Sequence, residues 1–102
     1  MAGTMPITFA ESAVQDMEDI LTYHAGQAMP QVGSRLVAEI IADIELLASQ
    51  PRMGRMVPEF EQDFLLELIR PPFRIVYRVD RDQVRIVRAW RSERLLKLPQ
   101  DG

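Results

Sequence analysis

Three stretches in the second half of the chain are short, apolar-rich and bounded by turn residues, Phe64 to Arg70, Phe73 to Val79 and Gln83 to Trp90, and the middle one alternates with a period of two. Alternation of this kind predicts half-buried strands. Pro71-Pro72 and the polar run Asp80-Arg81-Asp82 separate them and read as turns, so the three strands form an antiparallel meander. In the middle strand Phe73, Ile75, Tyr77 and Val79 fall on one face, and Arg74, Val76 and Arg78 on the other. Helices are expected on the first face. The second is expected to stay partly open and lined with arginine.

Upstream the period changes. Pro6 to Phe9 is β-branched and aromatic, and helix formers take over at Glu11. From there to about Gln27, Val14, Met17, Leu21 and His24 recur at threes and fours with Ile20 beside them, while Gln15, Glu18 and Asp19 lie elsewhere on the wheel. Gly26 and Met29-Pro30 interrupt the pattern, and Pro30 suits the first turn of a second helix, where its missing N–H has no partner to lose. That helix runs to about Ser49, with a seam of Val32, Leu36, Val37, Ile40, Ile41, Ile44, Leu47 and Ala48. So short a link predicts an antiparallel helical hairpin. Neither helix can bury its stripe alone, which predicts an α+β fold: an N-terminal strand, then the hairpin packed on a small antiparallel sheet. The segment from Gln50 through Pro58 reads as irregular, and Ser92 to Leu98 as a short final helical turn.

A chain of 102 residues fits one domain, spanning 1–102, with 1–4 and 99–102 as flexible ends. Cysteine is absent and His24 is the single histidine, which excludes disulfides, thiolate metal ligation and a His-rich metal site. No metal or other cofactor is expected. There is no apolar run long enough for a membrane span and no signal-peptide pattern at Met1 to Phe9, so the expectation is a cytoplasmic protein without membrane contact.

Net charge is -3, too acidic for binding nucleic acid through bulk electrostatics. Its distribution is lopsided. Residues 1–64 hold 3 basic and 10 acidic side chains (net -7), and residues 65–102 hold 9 basic and 5 acidic (net +4). Such a dipolar surface steers a charged partner to one side.

Several segments together resemble the RelE/ParE superfamily of toxin–antitoxin toxins. They are Ile7-Thr8-Phe9, the helix start with Ala13 and Asp16, then Asp19-Ile20 and Tyr23, Leu47 with Pro51 and Gly54-Arg55, Phe73 to Val79, and Ile86 to Trp90 ending in Arg94. The long hairpin and the Pro-x-x-Gly-Arg loop are closest to ParE-like members. The resemblance implies a toxin of a plasmid-stabilisation type, neutralised by a cognate antitoxin, that inhibits DNA gyrase by binding and touches DNA only through the antitoxin complex. Two positions depart from the ParE-like pattern: Leu66-Glu67 stands where many members have Arg-Glu, and Arg91 where many have histidine after the tryptophan. The resemblance also leaves open a RelE-like ribosome-dependent mRNA endonuclease, and a non-toxic degenerate member that only binds antitoxin.

The arginine row carries the candidate sites. Arg74, Arg78, Arg88 and Trp90 are assigned to the antitoxin, and Arg52, Arg55, Arg91 and Arg94 to the target. An acidic antitoxin tail suits a face that gathers Arg74, Arg78, Arg88 and Arg91. The plainer alternative is a solvated strand face whose arginines pair with Glu67, Asp80, Asp82 or Glu93. Cleavage of RNA needs a proton acceptor and a donor beside the cations. Tyr77 is expected in the core, and Tyr23 and His24 on the hairpin away from the arginines, so no catalytic residue is assigned. Asp16, Glu18 and Asp19 read as a solvated helix face, and Trp90 as a packing anchor.

Overall fold

The computed structural model describes residues 3–91, so the final helical turn expected at Ser92 to Leu98, and Arg94, lie outside the described residues. The elements run β1 (Ile7–Phe9), α1 (Glu11–Gly26), α2 (Pro30–Leu46), β2 (Arg55–Met56), β3 (Leu65–Arg70), β4 (Phe73–Val79) and β5 (Val84–Arg91). The architecture is α+β: two helices on one face of a five-stranded sheet of order β1-β5-β4-β3-β2.

The meander forms as the alternation requires, with β3 antiparallel to β4 and β4 to β5. Two features go beyond the expected small antiparallel sheet. β1 joins in parallel with β5, pairing Ile7 with Val84 and Phe9 with Ile86, which makes the sheet mixed. The segment expected to be irregular contributes β2, which pairs Arg55 with Glu67 and Met56 with Leu66.

One core lies between sheet and helices. It contains Ala13, Met17 and Ile20 of α1, Ile40, Ile44 and Leu47 from α2 and its end, and Leu66, Phe73, Ile75, Tyr77, Val84, Ile86 and Ala89 from the strands. Burying each large aliphatic or aromatic side chain contributes roughly 1.5–3 kcal/mol. The α1 seam is rotated one position from the expected one: Ala13 replaces Val14, and Val14 and Leu21 are exposed. Small Ala13 lets the helix come close to β5, a packing choice that apolar periodicity alone does not express. At the hairpin crossing, a Cβ on Gly33 would lie 3.1 Å from the His24 Cβ and 3.2 Å from the Ile20 carbonyl, so this residue sets how near the helices approach.

β1 covers only the first residues of β5. Beyond Ile86 the edge of β5 is satisfied by the start of α1: Ala10 N donates to the Ile86 carbonyl (2.9 Å), Ser12 Oγ to the Val87 carbonyl (2.8 Å), and Ala89 N to Asp16 Oδ2 (3.0 Å). A helix thus closes a strand edge with side chains. Among the described residues no helix is long and apolar enough to cross a membrane.

Candidate functional site

Strand register places the arginines. Arg74 pairs with Trp90, Val76 with Arg88 and Arg78 with Arg85, so register puts these residues on the sheet face opposite the helices, with Arg88 at the β5 edge from which its guanidinium reaches Asp16 of α1. Arg91 pairs with Phe73 and therefore lies on the helix face, with its guanidinium carbon 5.8 Å from the Phe73 ring centroid. The expected gathering of Arg74, Arg78, Arg88 and Arg91 on one side is corrected here. A bulge between Val76 and Tyr77 in the pairing with β5 inserts Val87 and reverses the parity of every later residue of that strand.

That outer face is not open along its length. Val57, Leu65 and Val76 form a small second core, with Phe60 and Trp90 packed against it, because the chain between β2 and β3 folds across the sheet. Arg74 is drawn into this cover and is only 8% exposed. Its Nε donates to Glu67 Oε1 at 2.7 Å, and its two terminal nitrogens donate to the Glu59 carboxylate at 2.7 Å each. Glu67, itself 1% exposed, also accepts from Arg55 Nε at 2.7 Å. The hydrogen bonds from Arg74 hold the Glu59 carboxyl below its ordinary range, against the opposing effect of burial. Arg74 is held more firmly in its charged form, first by Glu59 and then by Glu67.

The other arginines have partners of their own. Arg78 bonds the Asp80 carboxylate at 2.8 and 3.2 Å, and this pair lowers the Asp80 pKa. Arg88 makes a two-pronged bond to Asp16 of α1 at 2.7 and 2.8 Å and lies 3.9 Å over the Trp90 ring. Arg70 forks onto Asp43 of α2. Arg52 donates to the Asp63 carbonyl at 3.0 Å. Arg55 keeps 61% of its side chain in solvent beside exposed Met53 and Met56. Gly54 between them is obligatory: a Cβ there would sit 2.5 Å from the Glu67 carbonyl, and its N–H donates to the Tyr77 hydroxyl at 2.9 Å. Tyr77 is in the core as expected.

A groove of about 540 Å³ runs between α1 and the far end of β4 and β5. Asp16, Asp19, Ile20, Tyr23 and His24 line it from the helix, and Phe73, Arg88, Ala89, Trp90 and Arg91 from the sheet. Tyr23 and His24 therefore share a cleft with two arginines, which corrects the expectation that the hairpin keeps them apart. His24 Nδ1 is 2.9 Å from the Ile20 carbonyl, and its ring meets that of Tyr23 edge to face at 5.1 Å. Two partners were hidden from the strand pattern. Glu59 lies in an irregular segment. Asp16, taken as solvated, faces β5; the one available signal was its place one turn beyond Ser12 on the flank of the Ala13–Met17 seam.

With this geometry in view, residues 7–96 match the family model for the ParE toxin of the type II toxin–antitoxin system parDE. The chain belongs to the ParE toxin family. The ParE fold is shared with solved structures. One from the chromosomal ParDE system of P. aeruginosa superimposes with a TM-score of 0.73 at 23% identity, covering 88% of this chain and 98% of that one. One from the RelBE2 toxin–antitoxin complex of Mycobacterium tuberculosis gives 0.62 at 19% identity, covering 91% and 98%. At these identities the likeness is one of fold. No curated protein matches the chain. The chain is thus a type II toxin of the RelE/ParE superfamily, and Glu67, the glutamate retained beside the departing Leu66, anchors the Arg55 and Arg74 network.

Proposed function

We propose that this chain is the toxin half of a cytoplasmic toxin–antitoxin pair, silenced by a cognate antitoxin and, when released, inhibiting DNA gyrase by binding it. The observation that carries the binding reading is the state of Arg74. Offsetting the charge of a scissile phosphate requires a guanidinium that can be presented to it. Arg74 is almost buried and committed to Glu59 and Glu67, so engaging a phosphate would strip two carboxylates of their partner. Arg78, Arg88 and Trp90 form the antitoxin surface, with Arg74 fastening the chain that covers the sheet beside them. Arg52 and Arg55 on their exposed loop, together with Arg91 and Arg94, serve the target.

A second reading has one observation in its favour. Tyr23 and His24 line the same groove as Arg88 and Arg91, which is the kind of grouping that RNA cleavage requires. The experiment that separates them uses the purified full chain in a gyrase supercoiling assay beside a translation-coupled mRNA cleavage assay. Loss of supercoiling without cleavage is expected. Cleavage with gyrase untouched would replace the first reading with the second, and expression without growth arrest would mark a chain that only binds antitoxin.

A further inference from the structure

The exposed loop that carries Arg52, Gly54 and Arg55 is held from outside itself. A terminal nitrogen of Arg52 donates to the Asp63 carbonyl at 3.0 Å, and Asp63 lies in the segment 57–64 that links β2 to β3 across the outer face of the sheet. Arg55 reaches the same segment through a chain of charges. Its Nε and that of Arg74 each bond a different oxygen of Glu67, and the terminal nitrogens of Arg74 grip the Glu59 carboxylate, all at 2.7 Å. The segment's remaining hold on the sheet is modest: Val57 is buried against Leu65 and Val76, with half-buried Phe60 beside them. Its backbone mostly bonds itself, Phe60 N and Glu61 N donating to the Val57 carbonyl at 3.2 and 3.1 Å and Leu65 N to the Gln62 carbonyl at 3.1 Å. Glu61 has a φ of 49°, in the left-handed region that a residue with a Cβ seldom enters, so contacts rather than local preference keep this shape. A segment with few buried contacts opens before the main core does.

Taking as given the reading that this loop meets the target, we propose that Glu59 is a positioning residue for Arg52 and Arg55. By clasping Arg74 it latches the 57–64 segment over the sheet, and the closed segment fixes both arginines of the loop. Opening the latch withdraws the Asp63 carbonyl from Arg52. It also leaves Arg74 leaning on Glu67, the carboxylate it shares with Arg55, so that the two guanidinium groups compete for one charge-assisted partner. The main core, on the other face of the sheet, contains none of these residues, so the latch can act on the loop while the core stays closed.

The test compares the full-length chain with Glu59→Gln, which keeps the size of the side chain and removes its charge. Asp43→Asn, which weakens the Arg70 pair on α2, controls for the loss of an ion pair elsewhere. The readouts are trypsin cleavage after Arg52 and Arg55, acrylamide quenching of Trp90, and inhibition of gyrase supercoiling. Trp90 is the chain's one tryptophan and packs against the Val57 cluster, so its quenching follows the segment. In Glu59→Gln, cleavage is expected to quicken about tenfold, since proteolysis tracks the population of the open form. Trp90 should be quenched more readily and inhibition should weaken by a similar factor, while Asp43→Asn matches wild type throughout. Wild-type cleavage and quenching in Glu59→Gln overturn the latch, as does equal acceleration by Asp43→Asn. Faster cleavage with undiminished inhibition overturns the positioning role. If the wild-type chain leaves gyrase untouched, the target reading falls and the positioning role with it, whereas cleavage and quenching still decide whether Glu59 holds the loop.

Discussion

Arg74 Nε lies 2.7 Å from a carboxylate oxygen of Glu67, a residue with 1% of its surface exposed, and the pair joins β4 to β3 from beneath the 57–60 segment. Removing one partner of a buried pair costs about 3–5 kcal/mol when the other charge is left with no compensation. Arg74→Ala leaves buried Glu67 its bond from Arg55 and strips only part-exposed Glu59 of its partner, so it is expected to destabilise the chain by less, about 1.5–3 kcal/mol, in urea denaturation. Arg74→Met combined with Glu67→Gln should cost less than the two single changes added together, because the two residues share one network. Additive costs would show that the two groups act independently.

Gly54 and Tyr77 couple the loop to the core. A methyl group at Gly54 would meet the Glu67 carbonyl at 2.5 Å and the Tyr77 hydroxyl at 2.7 Å, and the first of these is backbone that cannot rotate away. Gly54→Ala should therefore destabilise by about 1–3 kcal/mol, the cost of overpacking a close contact. Tyr77→Phe keeps the ring in the core but leaves the Gly54 N–H without its acceptor, at a cost of about 1–3 kcal/mol. Denaturation midpoints of the two variants check both figures, and a Gly54→Ala chain as stable as wild type would mean that the loop moves freely.

Much of this architecture was legible in the chain before folding. Apolar stretches bounded by turn residues located β3, β4 and β5 to within a residue or so, and the switch to helical period located the hairpin, because both signals are local. Three things were not. The parallel pairing of β1 with β5 depends on contacts across more than seventy residues, and no local pattern carries it. The bulge at Val87 sends Arg91 to the opposite face from Arg74, and strict alternation offers no way to foresee one inserted residue. Charge partners were legible only where strands supplied them. Glu67 and Asp80 were among the acids the strands offered to the arginine row, without a particular arginine assigned to each, whereas Glu59 and Asp16 come from a loop and a helix that only the tertiary fold brings near.

Acid and alkali should act on different parts of the chain. Hydrogen bonds from Arg74 lower the Glu59 pKa, and those from Arg78 lower that of Asp80. The unfolded chain then binds protons more tightly than the folded one, so their stabilisation is fully present above the unfolded carboxylate values of about 3.9–4.3 and is lost as pH falls through the lower folded values. Tyr77 behaves in the opposite sense. Burial raises its pKa, opposed in part by the Gly54 N–H, so the folded state retains the phenol proton longer than the unfolded state does. Stability should hold up to about pH 10 and decline as pH rises toward the folded value. Thermal melts across pH should show both slopes, with Glu59→Gln flattening the acid limb and Tyr77→Phe the alkaline one.

Arg55 provides a way to separate holding the fold from meeting the target. Its Nε bonds Glu67, as Arg74 does, but 61% of its side chain is in solvent. Truncating it leaves Glu67 still paired with Arg74, and an exposed arm of an ion pair contributes about 0–1 kcal/mol. Arg55→Ala should therefore melt within a few degrees of wild type, while Arg74→Ala should not. If the loop carrying Arg52, Gly54 and Arg55 contacts gyrase, Arg55→Ala should weaken inhibition in the supercoiling assay about tenfold, equivalent to about 1.4 kcal/mol of contact. A variant that keeps full inhibition would remove this loop from the target surface and leave the sheet end around Arg91 to carry it.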